Sequence, residues 1–316
     1  MSRRAECWGV ILAGGDGTRL RPLTRLIAGD ERPKQFCPIL GAETLLGMTR
    51  RRTALEVAPD RTLLVVTRTH ERFYAPLLAD VSPGCLVVQP ESRGTAPAIL
   101  YALLRVGRLA PTAPVAIVPS DHYVSDDATF MAHVAAAFEA VLARPDLIIL
   151  LGITPDSPEV EYGWIEPADR IPLEGPGQVY RVRRFWEKPP LALAQALLTS
   201  GCLWNSFLMV GRVPAFLALI RGAVPHLYDA LVRILPLLGS DREPEAVTAS
   251  YAALPAVNFS RAALATRPAN LAVLPVSGIE WSDWGDPRRV LATLGRLRMD
   301  PEWARDPAAA AVARAM

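Results

Sequence analysis

The residues best suited to chemistry begin in the stretch WGVILAGGDGTRLRPLT, Trp8 to Thr24, where an apolar run enters a glycine turn that leads to arginines. Gly14, Gly15 and Gly17 let backbone amides approach an anion closely, and Arg19 adds a planar fork of donors suited to phosphate oxygens. The turn is not a P-loop, because no Gly-Lys-Ser/Thr follows it. Nor does it fit the dinucleotide fingerprint, because Leu20 stands where the third glycine belongs. Taken alone, the same residues also fit a purely structural turn between a strand and a helix.

Two lysines stand out next. Among 34 basic residues only Lys34 and Lys188 are lysine, so where arginine usage is this heavy a remaining lysine marks a position that a planar guanidinium does not fill. Lys34 lies in ERPKQF, held in a loop by Pro33 and within reach of phosphates cradled by the first turn. Lys188 lies in RRFWEKPP beside Glu187, a pair able to meet a phosphate and accept from hydroxyls.

The remaining candidates are weaker singly. In QPESRGTAPAIL, Gln89 ends an apolar run and Gly94-Thr95 opens a helix whose free amides suit a base or a phosphate, although an ordinary N-cap by Thr95 explains the same pattern. VAIVPSDHYV ends on Asp121, and IEWSDWGDP supplies Asp283. Two carboxylates suit magnesium, which completes its octahedron with water and substrate phosphate. His122 is more often a structural hydrogen-bonding group than a base, and His70, His133 and His226 show no ligand spacing. In LWNSFLMVGR, Asn205 both donates and accepts, as hydroxyl recognition requires, and in EYGWIEP, Gly163 leaves room for a ligand against the backbone.

The elements that must carry these groups follow from hydrophobic periodicity. Apolar runs rich in β-branched residues predict strands at Trp8–Ala13, Thr62–Thr67, Leu86–Gln89, Val115–Pro119 and Leu147–Gly152. Helical patterns fall between them at Thr44–Val57, Glu71–Ala79, Ala96–Gly107 and Ala128–Ala143. Strands apolar throughout, alternating with helices, predict a mostly parallel sheet covered on both faces. In such sheets ligands bind beyond the carboxyl ends of the strands, where the glycine turn lies. After Gly152 the rhythm changes. Strands are predicted at Glu161–Glu166, Val179–Glu187 and Leu203–Val210, then helices over Pro214–Leu238, a strand at Leu271–Val276 and a helix after Pro287. This second part reads as a substrate-side lobe built onto the same sheet. The Ala-rich tail DPAAAAVARAM predicts a terminal helix.

Composition narrows the function classes. The 316 residues are 51% hydrophobic and 21% charged, enough for a large core, and a net charge of +2 argues against nucleic-acid binding driven by bulk charge. Cys7, Cys37, Cys85 and Cys202 are scattered without metal-ligand spacing, which points to reduced thiols and a cytoplasmic protein. The opening MSRRAEC leads into no signal-like apolar region, and no membrane span is expected.

Taken together and in order, ILAGGDGTRLRPLTR, PKQF, RGTAPAI, PSDH, YGWIEP, WEKP, WNS and WSDWG make the chain resemble the sugar-1-phosphate nucleotidyltransferases, or nucleotide-sugar pyrophosphorylases. Within that family the likeness is strongest to the guanylyltransferases that act on mannose 1-phosphate. It runs from Trp8 to about Arg289. The resemblance implies an α/β fold with a Rossmann-like, mostly parallel sheet flanked by helices and an inserted sugar-binding lobe. It implies one catalytic domain over residues 1–300, with a nucleotide-binding half to about 152, a sugar-binding half over about 153–286, and a helical tail at 301–316. It gives Arg19 and Lys34 the catalytic charge. Gly14, Gly15, Gly17, Gln89, Gly94 and Thr95 go to the nucleotide, and Gly163, Glu187, Lys188 and Asn205 to the sugar phosphate. Asp121 and Asp283 go to Mg²⁺. The implied partners are small molecules, a nucleoside triphosphate and a sugar 1-phosphate. A homo-oligomer stays open.

Four positions depart from the family pattern. Phe207 follows Asn205-Ser206 where many relatives have glycine, Asn258 and Ala263 replace acids, and Trp284 stands where a smaller residue is usual. These leave open another base or sugar, such as thymidylyl or uridylyl transfer to a different hexose 1-phosphate. They also leave open a catalytically weak regulatory homologue that binds a nucleotide sugar. A nicotinamide dehydrogenase is disfavoured by the failed glycine pattern. No cupin-type isomerase extension is expected after this domain.

Overall fold

The computed structural model describes residues 6–175 and 177–314. Residues 1–5 of the opening read for a signal, and 315–316 of the predicted tail, lie outside the described residues.

The strands are β1 Trp8–Leu12, β2 Thr62–Thr67, β3 Leu86–Gln89, β4 Pro114–Pro119, β5 Tyr123–Val124, β6 Ile148–Ile153, β7 Gly163–Ile171, β8 Val179–Glu187, β9 Leu203–Arg212, β10 Leu271–Val276 and β11 Trp281–Ser282. The helices are α1 Arg21–Ala28, α2 Leu45–Thr53, α3 Glu71–Tyr74, α4 Thr95–Leu109, α5 Asp127–Ala143, α6 Leu191–Thr199, α7 Val213–Ala223, α8 Pro225–Val232, α9 Glu243–Ala252, α10 Pro287–Leu297 and α11 Pro307–Arg314. Their starts are chemically marked. Thr44, Asp126 and Asp286 each accept from a first-turn amide of α2, α5 and α10. Proline stands in the first turn of α1, α7, α8, α9 and α10, where no intrahelical amide is needed.

Nine strands form one sheet in the order β3-β2-β1-β4-β9-β6-β10-β8-β7. The pairs β1–β2, β2–β3, β1–β4 and β6–β10 are parallel, as the uninterrupted apolar runs predict. The mostly parallel expectation needs one correction: β9 runs antiparallel between β4 and β6, and β8 antiparallel beside β10. Alternate strand residues feed two cores. Val10, Val65, Ile117 and Leu150 pack under α4 and α7, while Ile11, Leu64, Val118 and Leu151 pack with residues of α5 and α6 on the other face. Sheet residues buried on both faces cannot alternate with polar ones, which is why these strands read as continuous hydrophobic runs.

The substrate-side part of the chain continues this sheet. The β7–β8 hairpin pairs with the start of β9 through Trp164↔Trp204, next to the end of β6 at Ile153. That places Gly163, Glu187 and Asn205 at the same edge as the carboxyl ends of the parallel strands. Other corrections are local. The predicted helix Glu71–Ala79 divides into α3 and a 3₁₀ turn at Pro76–Leu78, where proline removes a helix amide. The helices α1, α6 and α9 lie outside the predicted helical segments.

A third, smaller cluster gathers Leu20, Leu23, Cys37, Ile39, Leu45, Tyr123, Trp284, Val290 and Leu294. It ties α1, the Lys34 loop and α10 together, and α11 packs on α1 and α10. Trp284 is its anchor: fully buried, stacked on Tyr123 at 5.1 Å and donating Nε1 to Thr293 Oγ1 at 3.1 Å. The bulk at position 284 is therefore a core requirement.

Candidate active site

The glycine turn is held from behind. Gln35 Nε2 donates to the carbonyls of Ala13 (3.0 Å) and Gly15 (2.8 Å), and Thr67 Oγ1 donates to the Gly14 carbonyl (2.9 Å). Because each peptide unit is planar, tying these three carbonyls also fixes the amides of Gly14, Gly15 and Asp16 that share their peptide planes. A Cβ on Gly14 would meet Gln89 Nε2 at 2.7 Å and Thr67 Oγ1 at 2.8 Å, whereas over Gly15 the space is open. Gly17 has φ +56° and packs against the Lys34 backbone. The spacing of the PKQF motif singles out Lys34, but its neighbour Gln35 is what shapes the loop.

Gly14 and Gly15 line a cavity of about 220 Å³ with Gln89, Gly94, Thr95, Asp121, His122 and Phe207. Gln89 is buried, and Tyr251 Oη donates to its Oε1 at 3.1 Å, which fixes the amide with its NH₂ toward Gly14. The reading of the α4 start requires correction. Gly94, not Thr95, is the N-cap, without any side-chain cap bond, and Thr95 Oγ1 accepts from the Phe259 amide at 2.8 Å. The Ala96 amide donates to the Val257 carbonyl at 3.0 Å, so the chain itself uses part of this helix start. Glycine is required at 94 by φ +82° and by Val257 O, 2.4 Å from where a Cβ would sit.

The second cavity, about 290 Å³, shares Asp121 and His122 with the first and is further lined by Gly17, Arg19, Lys34, Asp283 and Gly285. A short ribbon brings the two aspartates together. β5 and β11 pair antiparallel through Tyr123↔Ser282 and Val124↔Trp281, so the register carries Asp283 opposite His122. Lys34, 7% exposed, spans them. Its ammonium lies 3.3 Å from Asp121 Oδ2 and donates to the carbonyls of Asp283 and Trp284, the latter at 3.2 Å. All three donors of the lysine therefore have protein oxygens within reach, and Lys34 forms a cross-link in the wall of the cavity that it lines.

Asp283 Oδ1 accepts from Gly285 N (2.8 Å) and Arg289 Nη1 (2.9 Å). Burial alone would raise its pKa, but the charges of Lys34 and Arg289 outweigh it and hold the carboxyl below its ordinary range. Arg289 also binds Glu159 Oε2 at 2.7 Å and lies 4.5 Å over the Tyr162 ring. Its burial opposes the charge, yet Asp283, Tyr162 and Glu159 raise its pKa above the usual value. His122 is half-buried and packs edge-to-face with Trp281, and desolvation lowers its pKa to about 4, so it is neutral near pH 7 and only a weak base. Two carboxylates sharing a wall, one with Oδ1 occupied and the other partly exposed, form an oxygen donor set that suits a hard divalent cation completed by water or phosphate.

Just before β7, Glu161 is a residue the motifs do not single out. Its Oε2 accepts from Arg19 Nη1 at 2.9 Å and from Lys188 Nζ at 2.8 Å, so one carboxylate joins the first loop to the end of β8. Glu187 is largely buried, and that burial raises its pKa. Asn205 Oδ1 accepts from the Phe207 amide at 3.1 Å. The expected free approach over Gly163 is corrected: a Cβ there would meet the Phe185 ring at 2.8 Å and Glu187 Oε2 at 3.2 Å, so the glycine serves packing. Gly163, Glu187, Lys188 and Asn205 line neither cavity; they stand beside them at the same sheet edge. Of the departures, Asn258 caps the turn at Ser260–Leu264 by accepting from Arg261 N (2.9 Å), and Ala263 is buried in the core. Two larger cavities, about 520 and 660 Å³, contain none of the residues singled out from sequence.

Comparison with known proteins agrees with this geometry. A family described as nucleotidyl transferase matches residues 8–291. The chain is 37% identical over 224 residues to the xanthan biosynthesis protein XanB of Xanthomonas campestris pv. campestris (strain B100), covering 70% of this chain and 45% of that protein. It is 29% identical over 288 residues to a mannose-1-phosphate guanylyltransferase of Escherichia coli (strain K12), covering 89% and 58%. The chain thus spans about half the length of the curated relatives it matches. A solved structure from Thermus thermophilus, titled a mannose-1-phosphate geranyltransferase, aligns with a TM-score of 0.77 at 30% identity, over 91% of this chain and 79% of that one.

Proposed function

The chain belongs to the nucleotidyl transferase family, and from that membership we propose that it transfers a nucleotidyl group from a nucleoside triphosphate to a sugar 1-phosphate. GTP and mannose 1-phosphate are the pair we assign, the products being the nucleotide sugar and pyrophosphate. The observation that carries this reading is the pair of cavities that share Asp121: Gly14, Gly15 and Gln89 line one, and Arg19, Lys34 and Asp283 the other.

An oxygen of the sugar phosphate attacks the α-phosphorus while the bond to the departing pyrophosphate breaks. A phosphate monoester has a second pKa of about 6, so the nucleophile is already largely dianionic at neutral pH and needs no protein base. What the chain must supply is alignment of two polyanions and neutralisation of the transferring group. The amides of Gly14, Gly15 and Asp16, with Arg19, face the triphosphate, and Gln89, oriented by Tyr251, faces the base. Lys188, Glu187 and Asn205 receive the sugar phosphate. Asp121 and Asp283 hold Mg²⁺, which when bound neutralises and orients phosphate oxygens. The guanine and mannose assignments rest on the motifs and on the name carried by the Escherichia coli relative. The four cysteines are buried thiols, in keeping with the cytoplasmic location we assign.

The test is a panel of GTP, ATP, UTP and dTTP against mannose, glucose and galactose 1-phosphates, with pyrophosphate release followed. Turnover confined to GTP with mannose 1-phosphate is the expected result. Turnover with another pair overturns the specificity, and no release from any pair overturns transfer in favour of a regulatory nucleotide-sugar binder.

A further inference from the structure

Phe207 occupies a backbone conformation that suits glycine. Its φ is +60°, in the left-handed region that bulky side chains rarely adopt. Among the described residues the other non-glycines with positive φ are Lys188 and Trp284, both at the site, and Arg298, which ends α10. The cause at Phe207 is an irregularity in β9. Asn205 pairs with Gly152 and Met209 with Leu150, so β9 holds two extra residues between those pairs. The bulge is pinned by its own polar groups. Ser206 Oγ donates to the Leu151 carbonyl (2.7 Å) and accepts from Leu208 N (3.2 Å), while Phe207 N donates to Asn205 Oδ1 (3.1 Å). Bulges of this kind re-aim a side chain, and strain retained at a site is a reason to look for function.

The side chain so aimed lines the 220 Å³ cavity, together with the apolar Leu12, Val65 and Ala98 and the polar Gln89 and Thr95. Phe207 is only partly buried while it packs against the core beneath, so part of its surface is left to the cavity. The space is smaller than ordinary small-molecule pockets of roughly 300–1,000 Å³ and suits a portion of a ligand. An aromatic wall beside a fixed amide suits a nucleoside: the amide reads an edge and the wall limits shape and volume.

We propose that Phe207 is a specificity-determining residue that bounds the nucleoside end of the cavity and selects among nucleoside triphosphates. The proposal rests on the nucleotide-binding reading above and goes beyond it in assigning selection to a residue held in a glycine-like backbone conformation. Phe207→Gly removes the wall and relieves the backbone together. The expected result is an unchanged or higher melting temperature and a fall of about ten-fold or more in the ratio of kcat/KM between the preferred and the next triphosphate. The change appears in the nucleotide KM, with the sugar 1-phosphate KM within about three-fold of its original value. Equilibrium binding of GTP, ATP, UTP and dTTP to both proteins, measured without sugar, keeps the two proposals separate. A selectivity shift in binding without pyrophosphate release from either protein supports the role of Phe207 and overturns transfer. Normal transfer with unchanged selectivity in a folded Phe207→Gly overturns the role of Phe207 and leaves transfer standing. A change confined to the sugar KM also overturns it, because the ring would then bound the sugar. If Phe207→Gly does not fold, Phe207→Leu is read by the same ratio, and an unchanged ratio again overturns the proposal.

Discussion

The ammonium of Lys34 lies 3.3 Å from the carboxylate of Asp121, and through its bonds to the Asp283 and Trp284 carbonyls it joins the end of β4 to a turn more than 150 residues later. This buried cross-link gives the second cavity its shape.

Lys34→Ala leaves the Asp121 carboxylate and two carbonyls without their shared cation. We expect a loss of about 2 kcal/mol in urea denaturation, since removing one partner of a largely buried pair exposes the other's desolvation cost. Turnover should fall by about 100-fold or more. Lys34→Arg should not restore it, because a planar fork does not place three donors around one nitrogen. Full activity in Lys34→Arg would refute the cross-link as described.

Glu161→Gln separates two effects. Arg19, Lys188 and Glu161 are each about half exposed, so the stability change should stay within about 1 kcal/mol. The carboxylate competes with phosphate for both cations, so its neutralisation should lower the KM for the triphosphate about three-fold or more. Arg19→Ala, by contrast, should reduce kcat by about 100-fold or more at unchanged melting temperature. The hydrogen bond from Lys188 holds the Glu161 pKa below its ordinary 4.5. A depressed carboxyl pKa stabilises the fold above the unfolded value and ceases to do so as pH falls through the folded one. The difference in melting temperature between wild type and Glu161→Gln should therefore be constant from pH 5 to 8 and shrink only below about 4.5.

Glu187 has the opposite sign. Burial raises its pKa above 4.5, so the folded state holds the proton more tightly than the unfolded chain, and ionisation of this group costs stability as pH rises through the folded value. Glu187→Gln should raise the melting temperature at pH 7, with the gain vanishing below about pH 4.5, and should raise the KM for the sugar 1-phosphate. A destabilised variant at pH 7 would contradict the desolvation cost inferred for this side chain.

Gly94→Ala tests the join between α4 and the segment at Val257. With φ +82° and the Val257 carbonyl 2.4 Å from the new Cβ, the alanine must displace backbone. A loss of about 2 kcal/mol or more is expected in chemical denaturation, with weaker nucleotide binding because Tyr251 and Gln89 lie behind the same join. Near-native stability would show that the contact gives way easily.

Much of the scaffold is legible in the sequence because strand and helix signals are local. The runs Thr62–Thr67, Leu86–Gln89, Val179–Glu187 and Leu271–Val276 match the observed strands end to end, their side chains being apolar or β-branched where the sheet requires it. The helices α1, α6 and α9 are short and each begins at or beside a proline, which breaks the local pattern at their starts. The antiparallel place of β9 escapes it because pairing direction leaves no mark in the hydrophobicity of a strand buried on both faces. Gln35, Thr67, Glu161, Tyr251 and Arg289 carry no signal for a similar reason: each acts on a group distant along the chain.

From its order of residues alone, the chain specified most strands of the large sheet, where a glycine turn follows the first of them, and which charged groups are candidates for phosphate chemistry. The folded form alone showed that β5 and β11 bring Asp121 and Asp283 to one cavity, that Lys34 cross-links its wall, that Glu161 joins Arg19 to Lys188, and that Phe207 lines a cavity from a bulge in β9. The division has a physical origin. Periodicity and turn preference depend on neighbours a few residues apart, whereas ion pairs, cavity walls and strained backbone depend on groups that meet only after the sheet has assembled.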